Sequence, residues 1–463
     1  MAPGGRIIQG ATGAGSDAAE PTLLRVSRWL REHLGWSRLY RATSYLRSAL
    51  WVVPILALVA ERVTYRVLRF VDPWVTWNLT GLGVGGARAL FETVITLTLS
   101  FIVFTFGSLL VALQVASAQL TPRIIATTLL RDKVIKYSVG LNVFALLFAV
   151  TGLNHTETEV FQLATSVAGL LGIACLVSFL FFIDHAARLL RPVNIVALVC
   201  DQGMDVIRNV YPRVGAETQP AAGANQHGSV EKPTLVVSQK GRSQIVLAVE
   251  IDTLVAEAAR VNGVIEFVPQ VGDFVAADEP LFKLYGRAAT IAEETLRECV
   301  AFGSERTMEQ DSMFSFRILV DIALKALSPA IDDPTTAVLA LDQIHRLLRF
   351  VGKRRLHDEV VHDSAGQARL LLRTPNWDDF VHISFTEIRA CGANNVQIAR
   401  RMRAMLENLV HSLPESRHAA LMQQLDLLDR TLPDYYKLAE DLALARVPDS
   451  QGLGGASGGR PSI

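Results

Sequence analysis

The chain has 463 residues, too many for one ordinary domain. Half of them are hydrophobic, 19% are charged, and 45 Lys and Arg balance 45 Asp and Glu. That balance excludes a nucleic-acid partner, which needs a basic surplus to displace counterions from phosphate. The cysteines Cys175, Cys200, Cys299 and Cys391 stand at no CxxC or Cys/His ligand spacing, so neither a disulfide framework nor a zinc site is implied.

Residues 1–21 are Gly/Ala-rich and polar, with no secretory signal pattern, and are expected to be disordered. Residues 22–47 place Leu23, Val26, Trp29, Leu30 and Leu34 near one helical face and most arginines elsewhere. This predicts a basic amphipathic helix lying on anionic lipid, in preference to one packed on the protein's own soluble domain.

Residues 48–190 predict a four-helix transmembrane domain, since about 20 apolar residues cross the hydrocarbon core. The spans are Ser48–Val63, Thr93–Leu113, Tyr137–Leu153 and Val160–Ile183; the first is short and contains Pro54. Lys and Arg crowd the arm before the first span, the second connection (Arg123, Arg131, Lys133, Lys136) and the exit of the fourth (Arg188, Arg191). The third connection has none. The pattern predicts a multi-pass protein of the bacterial cytoplasmic (inner) membrane with both termini cytoplasmic. Arg62, Arg66, Arg69 and Arg88 in the first connection run against it; Trp74 and Trp77 would anchor the outer interface. The lipid bilayer is therefore one expected partner, and a second copy of the chain is the candidate protein partner.

Along the second span Thr93, Ser100, Gly107, Gln114 and Thr121 recur every seven residues, with Thr96 and Ser117 beside them. Close helix packing through small residues is the preferred reading. The alternative is the lining of a pore in an oligomer; the stripe carries no ionisable group, which is what usually marks a transport path.

Residues 191–233 read as a connector and linker, 234–286 as a small β-rich module, 287–446 as a mostly helical cytosolic domain and 447–463 as a disordered tail. In the module, strands at Thr234–Val237 and Ile245–Val249 precede an Asp252-capped helix stopped by Gly263. VGDFV followed by PLFKLYG resembles half of a lipoyl-type barrel, without the hairpin-tip lysine that would carry a cofactor. Helices are expected at Ala289–Phe302, Gln310–Leu327, Pro334–Val351, Trp377–Ala390, Asn395–Leu413, Ser416–Leu432 and Tyr435–Ala445, with a hairpin turning at Ser364-Ala365-Gly366. The fold class is thus a membrane α-helical region followed by a soluble α+β domain.

The densest polar cluster is Glu305, Arg306, Asp311, Arg317, Asp321, Ser328, Asp332 and Asp333. Arg317 and Asp321 are one helical turn apart and can pair; Asp333 before Pro334 suits a helix N-cap. A salt-bridge network with a capped junction is the preferred reading. The alternative is that Asp311, Asp321, Asp332 and Asp333 converge on Mg²⁺ or Ca²⁺, which leaves the metal question open. No Walker loop, HExxH, GxSxG or strand-linked GxGxxG is present, so no cofactor is expected and the balance is against an enzyme.

Three segments, SLLVALQVASAQLTPRII, FGSERTMEQDSMFSFRILVDIALKALSPAIDDPTTAVLALDQI and WDDFVHISFTEIRACGANN, together resemble the bacterial predicted-membrane-protein family designated domain of unknown function 2254. The resemblance covers roughly residues 45–445 and leads one to expect Asn where Asp332 stands. It implies a membrane location and this two-part layout, and no established activity. The reading is a membrane protein acting as sensor or scaffold; the rivals are an oligomeric channel lined by the second span and a metal-dependent membrane-bound hydrolase.

Overall fold

The computed structural model describes residues 35–49, 51–74, 81–119, 132–156, 160–189, 191–215, 232–356 and 360–454. The expected disordered start, most of the amphipathic arm, Trp77, Thr121 and linker residues 216–229 lie outside them. The chain forms two units, Tyr45–Ile195 and a second made of Met1–Ser44 with Val196–Ile463.

Helix α1 (Trp36–Ser48) enters the first unit, which then contains α2 (Val52–Val71), α3 (Val84–Gln119), α4 (Lys133–His155) and α5 (Gln162–Leu189). Among the described residues three helices are long and apolar enough to cross a membrane: Val84–Gln114, Lys133–His155 and Gln162–Arg188. The first expected span, Ser48–Val63, is a helix that runs to Val71 rather than Val63, but Glu61, Arg62, Arg66 and Arg69 interrupt its apolar sequence. It is not among the three.

Helix α4 packs against each of the other three. Glycines set the spacing: a Cβ on Gly140 would lie 2.4 Å from Val53 Cγ1, and one on Gly152 2.4 Å from Phe91 Cε1. Tyr65, Phe91, Val94, Phe148, Ala149 and Ala168 fill one end of the seam; Phe101 stacks on Phe179 at 4.1 Å further along. Leu99, Val103, Leu110, Ile173, Val177 and Leu180 point outward, as lipid permits, because acyl chains are as apolar as leucine. Gly140→Ala should drive α2 and α4 apart at a cost of about 1–3 kcal/mol, read as a lower melting temperature of the detergent-purified full-length chain. An unchanged melting temperature would contradict this seam.

The second unit begins its post-membrane part with α6 (Pro192–Val210). The segment expected as connector is a core helix: Val196, Val199, Cys200 and Ile207 are buried, and Gly203 leaves room for Ser315 and Leu347. Next come β1 (Leu235–Ser238), β2 (Gln244–Val249), α7 (Ile251–Val261), β3 (Val264–Phe267), β4 (Phe274–Val275), β5 (Pro280–Tyr285), α8 (Glu293–Glu298) and β6 (Val300–Gly303). Two local expectations are corrected. Glu250 rather than Asp252 stands at the N-cap of α7, and left-handed Asn262 ends it one residue before Gly263. The helix expected to run to Phe302 breaks, because Val300–Gly303 pairs with β2 as a strand and buries Val300 and Ala301.

The rest is α9 (Phe314–Ala326), α10 (Pro334–Val351), β7 (Val360–His362), β8 (Ala368–Leu372), α11 (Trp377–Gly392), α12 (Val396–Ser412), α13 (His418–Tyr435) and α14 (Ala439–Ala445). The expected hairpin is present as β7–β8, with Gly366 at positive φ. Its second strand joins β3 in parallel, giving a five-stranded sheet ordered β1-β5-β3-β8-β7 beside a three-stranded sheet β4-β2-β6. Ile265, Phe267, Phe282, Leu284 and Leu370 form the core beneath the larger sheet. Helix α9 is buried nearly all round, which suits the centre of a helical layer. The tail expected to be disordered from residue 447 is instead placed as far as 454. Asp449 accepts backbone N–H bonds from Gln451, Gly452 and Gly454, and the wholly buried Arg400 donates to the carbonyls of Val447 and Gly454.

Candidate functional site

The polar cluster singled out by sequence is divided among three places. The first is the loop between β6 and α9. Asp311 Oδ1 accepts the N–H groups of Met313 and Phe314 at 3.1 Å each, capping α9, while Oδ2 lies 3.2 Å from Arg306 Nε without a hydrogen bond of its own. The turn at Gln270–Asp273 presses on this pair. Gly272 has φ +97°, and a Cβ there would fall 2.2 Å from Arg306 Nη2 and 2.5 Å from Asp311 Oδ2, so only glycine lets the backbone come so near. Burial pushes the Asp311 carboxyl up to about 6, outweighing the pull of Arg306 and of the two N–H donors; the nearby charge of Asp273 adds to the rise. Arg306 is only partly buried, with 35% of its side chain exposed, and water weakens its attraction. Glu305 is exposed to solvent.

Arg317 on α9 forms the second place. It pairs with Asp321 one turn away and with Glu387 on α11. The hydrogen bond to Glu387, followed by that to Asp321, overcomes burial and holds the guanidinium firmly protonated, and Arg317 in turn keeps Glu387 below the usual carboxylate range. The third place is the α9–α10 junction. Ser328 Oγ donates to the Lys325 carbonyl. Asp332 has φ +49° and donates its N–H to the Ser328 carbonyl. Asp333 caps α10 by accepting the Thr336 N–H at 3.0 Å. Asn and Asp are the side chains that best tolerate the left-handed region, which accounts for either residue at position 332.

Among the described residues no group of three or more His, Cys, Asp or Glu could hold a metal ion, and the four aspartates are engaged separately. Sequence reasoning missed Gly272 and Glu387. Both stand far along the chain from the residues they meet, and only the VGD turn pattern pointed to the glycine. The second-span stripe lies on one side of α3: Thr93, Thr96, Ser100, Gly107 and Gln114 are exposed, and Gly107 has nothing within 4 Å of a Cβ. Ser117 is carried on the same helix. The side turned to the neighbouring helices carries Ala87, Phe91, Val94, Thr98, Phe101, Thr105, Leu109 and Ala112 instead.

Apolar helices of membrane-crossing length joined to a unit of mixed helices and sheets define the class, a membrane protein. The chain belongs to the predicted membrane protein family DUF2254, whose pattern matches residues 47–408. It is similar to the uncharacterized proteins Rv1290c of Mycobacterium tuberculosis and Mb1321c of Mycobacterium bovis, 26% identical to each over 447 residues, covering 89% of this chain and 83% of theirs. No solved structure matches.

Proposed function

We propose that the protein is a membrane-anchored scaffold of the bacterial inner membrane whose cytosolic α+β unit is tethered to the membrane helices on both sides. One observation carries this reading. Trp36 and Tyr40, which precede the membrane region in the chain, stack at 5.2 Å and pack on Leu247, Ala248 and Ala301, which follow it. The described part of the arm thus favours the packed alternative over a helix lying on lipid. The apolar helices are an insertion in the soluble unit, so a rearrangement that moves Tyr45 relative to Ile195 pulls on both pieces of it. A fourth span is supported by the outward apolar face of α2, where Ile55, Leu56, Val59, Val63, Val67 and Phe70 are exposed, with Arg62, Arg66 and Arg69 able to snorkel.

Hydrogen exchange of the full-length chain in liposomes of short and long acyl chains tests the coupling. Exchange in Gln244–Val249 and Val300–Gly303 should differ between the two lipids, and Trp36→Ala with Tyr40→Ala should erase the difference. Equal exchange from the start would reduce the helices to a passive anchor. The native thiols test orientation. Cys391 is exposed, whereas Cys175, Cys200 and Cys299 are buried, and burial pushes the Cys200 and Cys299 thiols up to about 11 and about 12. A membrane-impermeant maleimide should therefore label Cys391 alone, and only in inside-out vesicles; labelling in intact cells would reverse the topology.

A second reading rests on the outward stripe of α3. The hydroxyls of Thr93, Thr96 and Ser100 donate to carbonyls of their own helix, and the Gln114 amide facing lipid would be better satisfied against a second copy of the chain, as a packed seam or a water-filled pore. It predicts conductance in reconstituted bilayers that changes with Gln114→Leu or Ser100→Leu.

A further inference from the structure

Glu61 is 1% exposed in the middle of α2, and its Oε1 has no hydrogen-bond partner. Oε2 lies 3.6 Å from Nε of Arg62, whose side chain is 70% exposed. Glu61 belongs to the buried stripe Ala57, Glu61 and Tyr65, which faces the seam that Val53 makes with Gly140 and Tyr65 with Phe148. A carboxylate enclosed among apolar helices with one oxygen unsatisfied costs several kcal/mol unless something compensates it. Among the described residues its one ionic contact is a loose one to an arginine in solvent reach.

One turn further along the stripe, Tyr65 lines a small cleft with Leu68, Arg69, Asp72, Phe161 and Ala164. Its ring lies 5.3 Å from that of His155 on α4, and its hydroxyl is within electrostatic reach of Arg69, Glu61 and Asp72. Asp72 is fixed at the rim by the Leu163 N–H at 3.1 Å. The helices packed on α2 bring little else: α4 has no charged side chain between Lys136 and His155, and α5 has none before Asp184. The charged and titratable groups thus run from the cleft through Tyr65 to a single enclosed carboxylate. Ionisable chains of this kind inside membrane bundles mark ion and proton paths.

We propose that Glu61 is a binding site for a small monovalent cation, a proton or sodium, reached through the Tyr65 cleft. The site does not depend on the scaffold reading, since it lies wholly within the helical unit. The full-length chain in detergent is treated with a hydrophobic carbodiimide, which attacks protonated, water-shielded carboxyls, and modification of Glu61 is followed by mass spectrometry. With the proton as ligand, labelling falls about tenfold for each pH unit on the alkaline limb, as a single protonation equilibrium requires. Added NaCl suppressing it at fixed pH, with KCl doing so far less, identifies sodium; insensitivity to NaCl identifies the proton alone. The melting temperature gives a second readout, because a ligand bound by the folded chain raises it. It should shift with pH or sodium in the native chain and stay flat in Glu61→Gln. No labelling of Glu61 at any pH, or labelling blind to both pH and sodium, overturns the proposal, as does a melting response in Glu61→Gln equal to that of the native chain.

Discussion

Asp311→Asn should make the soluble unit more stable than the native chain at pH 8, by up to about 3 kcal/mol, while the two coincide near pH 4. Folded, the native carboxyl titrates at about 6; unfolded, it returns to about 4. The folded chain therefore holds more protons across that window. Its stability is fully present below the unfolded value and is lost as pH rises through the folded one. The amide keeps an oxygen for the Met313 and Phe314 N–H groups and removes the charge. The Arg306 side chain keeps partial access to water although its Nε is buried, so the loss of its partner is offset in part. Urea unfolding of both chains at several pH values reads the difference directly. A native chain that is the more stable of the two at pH 8 would mean that the Arg306 pair outweighs burial, and this account of the loop would fall.

The second large effect is expected at Arg400, which is wholly buried. Its Nε and Nη1 donate to the Val447 and Gly454 carbonyls, and its own carbonyl accepts the Asp449 N–H. Arg401 adds a bond to Ser450 and pairs with Asp342. Burial works to raise the Asp449 carboxyl, but the N–H groups of Gly454, Gly452 and Gln451, with Arg400, hold it below the usual range. Arg400→Met fills similar space and strands two carbonyls at about 1–3 kcal/mol each. The expected result is a destabilised domain whose Arg446–Gly454 segment becomes open to limited proteolysis before the rest. If that segment resists protease as it does in the native chain, the arginine clamp is not what holds it.

Much of the architecture was legible in the sequence because it depends on neighbours a few residues apart. The charge-free windows marked three membrane-length helices. Ser364-Ala365-Gly366 marked the hairpin, and Asp333-Pro334 marked the start of α10. The core helix α6 could have been read too: Ile195, Val196, Val199, Cys200 and Ile207 repeat with helical spacing, but their place just after a span suggested a connector. Val300–Gly303 misled for a related reason. Its residues are compatible with helix or strand, and pairing with β2 decides between them.

The sequence by itself determined which helices are long and apolar enough to cross a bilayer, because a charge-free run of that length is a property of one segment. Only the tertiary structure decided what each polar group meets. It turned the hydroxyl stripe of α3 outward, enclosed Glu61, scattered the aspartates into three separate contacts and drew Gly272 onto Arg306. The physical reason is that periodicity is a property of one segment, whereas the burial and pairing of a charge are properties of segments far apart in the chain, and no spacing rule within either one records their meeting.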